Sequence, residues 1–295
     1  MNLLVRGFLC AILVYSSTPA HADNPGASAD GAHRYVEVNG AKLYTEAFGR
    51  GAPIVFLHGG MLFFDNNYAK QRDYFAAYRR VIGIDQRGHG HSPDGPWTLS
   101  YQQIADDTAA VIEKLGIGPV DIVGHSDGAN IGLLIARDHP ALVRRLVISG
   151  ANLRSGLSAE EVRKRSQWPA TQLAAKLQTV ADGLPPWFRT DYAKVSPDRA
   201  DHWMTLLAKC YQMWIQPVVI EPVDLKKISA PVLVMAGDTD FTSLEETAEI
   251  YRGLPKAQLI IVPGTGHGTF LTSPTLVNLA IREFLDPVES AAPAR

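Results

Sequence analysis

Six short apolar runs recur along the chain, each ending on a glycine, histidine or aspartate: PIVFLH (53–58), YRRVIGID (78–85), VDIVGH (120–125), RRLVISG (144–150), PVLVMAG (231–237) and AQLIIVPG (257–264). A strand that is apolar on both faces has to be covered on both faces. Runs of this kind therefore suit a parallel sheet held between two layers of helices. The intervening segments have apolar residues at helical spacing, notably YQQIADDTAAVIEKLGI (101–117), where Gly116 is a plausible stop. ANIGLLIARDHP (129–140), SLEETAEIYRGLP (243–255) and TLVNLAIREFL (275–285) read the same way, and the first of these follows a tight strand-to-helix turn, its helix starting near Asn130. Ahead of them RYVEV and AKLYTEAF flank Asn39-Gly40, a dipeptide that tolerates positive φ at both turn positions and so predicts a hairpin. The expected architecture is an α/β sheet, parallel except near its start.

The alternation stops between about Asn152 and Ser229. That stretch lacks good strand runs and holds helical segments such as ATQLAAKLQTVADGL. It also holds Trp168, Trp187, Trp203 and Trp214, four of the five tryptophans. The expectation is a helical cap over residues 152–229 on a core made of residues 33–151 and 230–287. The tryptophans serve mostly to pack cap on core, with some left to line an apolar pocket.

The N-terminus reads as a targeting segment. Arg6, the apolar run FLCAILVY and the small-x-small ending Ala20-His21-Ala22 form the layout of a signal peptide, residues 1–22. The run is too short to span a bilayer, and an uncleaved anchor is the alternative. Residues 23–32 then form a flexible leader, and the protein is exported, periplasmic or secreted, without stable membrane insertion after cleavage. Cleavage removes Cys10 and leaves Cys210 as the only thiol, so no internal disulfide can staple the fold. It also removes Arg6 from 28 basic residues, giving 27 against 30 acidic ones and a net charge of −3. With no basic block at that charge, nothing recommends nucleic acid as a partner.

The chemistry concentrates at strand ends. Gly124-His125-Ser126-Asp127-Gly128 follows VDIVG and precedes a helix. A strand-to-helix turn this tight strains its central residue and projects the Ser126 hydroxyl above the sheet, with Gly124 and Gly128 required because a Cβ at either would clash. The helix N-terminus aims its free N–H groups and positive dipole end at the same spot. A serine nucleophile needs a base and a residue to orient it. Asp238-Thr239-Asp240 follows PVLVMAG, and Gly266-His267-Gly268 follows AQLIIVPG, both where α/β sheets place their sites. His267 is the expected base. The acid is Asp238 or Asp240, with Asp240 favoured because an Asp directly after Gly, as at 238, commonly shapes its own turn. Leu57-His58-Gly59-Gly60-Met61 supplies the remaining part: one oxyanion donor from Gly60 or Met61, the second from the N–H of Asp127. His58 supports that loop through hydrogen bonds.

LHGG, DQRGHGHS (85–92), GHSDG, GDTD and GTGH, in that order, resemble the α/β-hydrolase superfamily and in particular its capped single-chain members. The resemblance spans about residues 33 to 287. It implies the α/β-hydrolase fold, an acid at the last position of the GxxD-type segment, which is Asp240, and a structural role for DQRGHGHS. His89, His91 and Asp94 in and after that loop are too sparse a set for a metal site, and no metal or cofactor is expected. Family members with Asp at the elbow include dehalogenases and epoxide hydrolases, so Ser126 argues against both, and Met61 after HGG argues against an iminopeptidase. What remains is acyl transfer to water on a small, apolar substrate: a carboxylic ester or lactone, with carbon–carbon bond hydrolase, amidase or peptidase, and perhydrolase chemistry as alternatives, and a non-catalytic receptor as the remote one. Nothing in the sequence fixes an oligomeric state. Asp127 stands out, since a carboxylate follows the nucleophile where this superfamily often has an apolar or amide side chain. Helix-start electrostatics is one account of it; tuning the base or contacting substrate is the other.

Overall fold

The computed structural model describes residues 31–155, 157–216 and 219–287. The expected signal peptide and residues 23–30 of the expected leader lie outside the described residues. β1 begins at Ala32, so the last residue assigned to the leader is already paired, opposite Ala47 of β2.

Eight strands form one sheet in the order β1-β2-β4-β3-β5-β6-β7-β8. They are β1 (Ala32–Val38), β2 (Ala41–Phe48), β3 (Pro53–Leu57), β4 (Arg80–Ile84), β5 (Val120–His125), β6 (Val143–Ser149), β7 (Val232–Gly237) and β8 (Ala257–Val262). β1 and β2 pair antiparallel through Asn39 and Gly40, both at positive φ (46° and 76°), with Val38 opposite Ala41. β2 also meets β4 antiparallel, and every later pairing is parallel.

Side chains along the central strands sort by a period of two. Val55, Leu57, Ile122, Leu146, Ile148, Val232 and Val234 enter one core; Ile54, Phe56, Val123, Val147, Leu233 and Met235 enter the other. On the first face lie α2 (Tyr101–Leu115), α3 (Asp127–Asp138) and α8 (Leu244–Gly253); on the second lie α1 (Phe64–Phe75), the short α9 (Thr269–Thr272) and α10 (Pro274–Leu285). This double cover is why the strands read as unbroken apolar runs. α2 starts on Ser100, whose side chain accepts from Gln103 N, and ends on Gly116 at φ 63°. α1 has no such signature. Its buried face includes Asn67 and Gln71, and Tyr68 departs from helical geometry (φ −129°, ψ 16°), so its apolar periodicity is broken.

Between β6 and β7 the described residues hold four α-helices, two short 3-10 turns and no strand, the α-helices being α4 (Ala159–Ser166), α5 (Ala170–Gly183), α6 (Pro186–Val195) and α7 (Trp203–Trp214). They are unequally attached. α4 buries no residue, α5 only Leu177 and α6 only Tyr192, whereas α7 buries Trp203, Leu206, Leu207, Cys210, Tyr211 and Met213. α7 docks on the loops at the C-terminal ends of β4 and β5. Lys209 Nζ donates to both Asp94 oxygens (2.8 and 2.7 Å), His202 Nε2 lies 2.7 Å from Asp94 Oδ2, and Cys210 Sγ lies 3.5 Å from His89 Nε2.

Candidate active site

Four strand ends converge. β5 delivers Ser126, β7 leads to Asp240, β8 to His267, and β3 to the Gly59-Gly60-Met61 loop. Ser126 has φ 54° and ψ −118°, a conformation costing a non-glycine residue of order 1–3 kcal/mol unless its surroundings impose it. They do. A Cβ on Gly124 would lie 2.2 Å from Gly128 O, and one on Gly128 would lie 1.9 Å from Leu57 O. The two glycines let the departing helix press onto the strands on either side of the turn. α3 starts at Asp127, three residues before the expected Asn130, because Ser126 O already accepts from Ala129 N and Asn130 N (2.9 and 3.1 Å).

His267 Nδ1 lies 2.8 Å from Asp240 Oδ1. A carboxylate only accepts, so Nδ1 carries the hydrogen and Nε2 presents a lone pair. That Nε2 is buried and has no hydrogen-bond partner. Asp240 is itself buried; the His267 charge and hydrogen bond, with the Thr242 N–H, outweigh desolvation and hold its carboxyl below the usual range. The imidazole rests on Gly150, where a Cβ would come within 2.6 Å of Cε1, and the Phe241 ring covers it at 4.1 Å between centroids. Asp238 is occupied elsewhere: its two oxygens accept from Gly264 N (2.9 Å) and Thr265 N (3.1 Å), fixing the loop that carries His267.

In the β3 loop Met61 also has positive φ (61°), and Cys210 is buried nearby on α7. His58, fully buried, accepts Gln86 N–H at Nε2 (2.9 Å), and Gln86 Nε2 donates to its carbonyl (2.9 Å). Burial lowers its pKa and keeps the ring neutral. Of the expected non-site histidines, His91 Nδ1 faces Asp85 (2.9 Å) and His89 Nδ1 faces the Arg87 carbonyl (3.1 Å), so each has its own partner in a buttressing loop.

His125, Tyr101 and Trp214 take part in ways that a reading of the sequence does not show. His125 Nε2 donates to the His267 carbonyl (2.8 Å), tying the strand that leads to Ser126 to the loop that carries His267 across 142 residues. Asp127 is 5% exposed, and its oxygens accept from Tyr101 OH (2.7 Å) and Trp214 Nε1 (2.8 Å). Burial raises its pKa against those two hydrogen bonds. Of the four insertion tryptophans, Trp214 is the one bonded to this turn; it also sits where a Cβ on Gly60 would touch both Asp127 Oδ2 (2.4 Å) and the indole (2.6 Å). Tyr101 had no sequence signal beyond opening a helix, and Trp214 none beyond its residue type.

A family model described as the alpha/beta hydrolase family matches residues 54–280. Among relatives, the (E)-2-((N-methylformamido)methylene)succinate hydrolase of Acinetobacter baylyi is 27% identical over 246 residues, 81% of this chain and 92% of that protein. A non-heme haloperoxidase of Rhodococcus erythropolis is 28% identical over 271 residues, 84% of this chain and 97% of that one. The solved structure of a thermophilic esterase from Thermogutta terrifontis superposes with a TM-score of 0.68 at 23% identity, covering 86% of this chain and 98% of its own, and shares the fold.

Proposed function

The chain belongs to the alpha/beta hydrolase family, and from that premise we propose that it is a serine hydrolase that cleaves a carboxylic ester or lactone of a small, apolar substrate. Ser126 Oγ attacks the carbonyl. His267 Nε2 takes its proton and returns it to the leaving alcohol, and water then resolves the acyl-enzyme by the same base. Asp240 holds the imidazole tautomer and stabilises the imidazolium without taking the proton. The oxyanion is met by the Asp127 N–H and by the N–H of Gly60 or Met61.

One observation carries this reading: a His267 nitrogen with a free lone pair, backed by Asp240 at 2.8 Å, at the same end of the sheet as a strained serine. Its Ser126 contact is not closed into a hydrogen bond, which is ordinary in a free enzyme. The relatives are named for different bonds, so the ester is the finer part of the proposal. An export signal on residues 1–22 remains part of it. Incubation with a fluorophosphonate probe, beside short p-nitrophenyl esters, tests both levels. Labelling of Ser126 with ester turnover supports the proposal; an unlabelled Ser126 and no turnover would sink it. Labelling without ester turnover would move the reading to carbon–carbon, amide or peracid chemistry on the same residues.

A further inference from the structure

The insertion leaves the sheet after β6 and returns before β7, and it is hydrogen-bonded to one helical turn at its entry and again at the end of α7. At its entry, Asn152 N donates to Asn130 Oδ1 (3.0 Å) while Asn130 Nδ2 donates to Asn152 Oδ1 (2.9 Å). Towards its exit, Trp214 closes α7 and donates its indole N–H to Asp127 Oδ2 (2.8 Å). Asp127 and Asn130 are three residues apart in the first turn of α3 and share a face. Tyr101 joins them, donating to Asp127 Oδ1 (2.7 Å).

A helix-capping role explains none of this. Among the described residues neither Asp127 oxygen accepts an amide of its own helix. Removing a carboxyl from water costs several kcal/mol, and both of its partners are neutral donors. The Trp214 ring stands beside Gly60 and Asp127, on the oxyanion side of Ser126, while His267, which serves the leaving alcohol, is enclosed by Gly150 and Phe241.

We infer that Asp127 and Asn130 latch the insertion onto the nucleophile turn, and that Asp127 is a positioning residue for Trp214, which bounds the acyl side of the pocket. The acyl assignment rests on the serine-hydrolase reading; the latch itself does not. In p-nitrophenyl esters from acetate to octanoate, Asp127→Asn and Trp214→Phe should each lower kcat/KM for acetate about tenfold, the loss of one hydrogen bond to a carboxyl. Each should also shift preference towards longer acyl chains, and the double variant should be no worse than the poorer single one, because both changes break one bond. Losses that multiply to about a hundredfold, or an unchanged acyl preference in both single variants, overturn the assignment. Tryptophan emission decides the latch without turnover. The spectrum of Trp214, obtained by subtracting Trp214→Phe, should shift when Asp127→Asn is introduced; an unaltered spectrum overturns the latch even if Ser126 proves inert.

Discussion

Asp240 Oδ1 accepts the hydrogen of His267 Nδ1 at 2.8 Å, whereas Asp238, two residues earlier, gives both oxygens to the amides of Gly264 and Thr265. The two acids therefore fail differently. Asp240→Asn should lower kcat by about 10³–10⁴-fold with little change in melting temperature, since it disturbs the tautomer and the imidazolium. Asp238→Asn should cost about 0.5–1.5 kcal/mol of stability, because one loop amide loses its acceptor at an exposed site, and much less turnover. Paired kinetics and thermal melts check this, and the reverse order would exchange the two roles.

Ser126→Ala should abolish ester hydrolysis and probe labelling while the melting temperature stays close to wild type. The backbone strain at φ 54° is imposed by the glycines around it and outlasts the hydroxyl. Retained hydrolysis would remove Ser126 from the mechanism.

Gly128→Ala should prevent folding, since its Cβ would lie 1.9 Å from Leu57 O and neither backbone can yield. Gly264→Ala is the control: at φ 68° with open space around it, it should cost only about 1 kcal/mol. Soluble yield and chemical denaturation separate the two, and equal stability in both would contradict the packing of the elbow.

Burial pushes His89 and His125 down to about 3, against an ordinary value near 6.5. The folded chain thus binds fewer protons there than the unfolded one. The stability these rings contribute is complete above about pH 6.5 and is lost progressively as pH falls towards 3, about 2 kcal/mol each by pH 5. The raised carboxyls of Asp121 and Asp127 act in the opposite sense and offset part of it. Melting temperature should fall between pH 7 and pH 5, and His89→Gln should flatten the fall; a slope unmoved by that change would sink the account.

Expressed from its full sequence in a bacterium with an export pathway, the protein should be recovered outside the cytoplasm beginning at Asp23. N-terminal sequencing of that fraction checks it, and a cytoplasmic product beginning at Met1 would be evidence against the signal.

Most of the sheet was legible because β3 to β7 are buried on both faces and so leave unbroken apolar runs, and the candidate site residues stood out because each lies in the loop or turn that follows a strand. What stayed hidden depends on distance along the chain. Tyr101 meets Asp127 across 26 residues, Trp214 meets it across 87, and His125 meets the base loop across 142; no local pattern encodes such pairs. α1 was missed for another reason. Its inward face carries Asn67 and Gln71, spent on Gly59 N, Phe270 O and Asn278, so polar bonds replaced the periodicity that marks a helix.

The two-ended attachment of the insertion has a consequence for recombination. Ser126, Asp240 and His267 all lie outside residues 152–229, so a chimera carrying a relative's insertion would keep all three of the proposed reacting residues. It would also inherit two orphans, Asn130 without Asn152 and a buried Asp127 without its indole. Transplants should therefore succeed by matching an asparagine at the entry and an indole at the exit, more than by overall likeness of the transplanted helices.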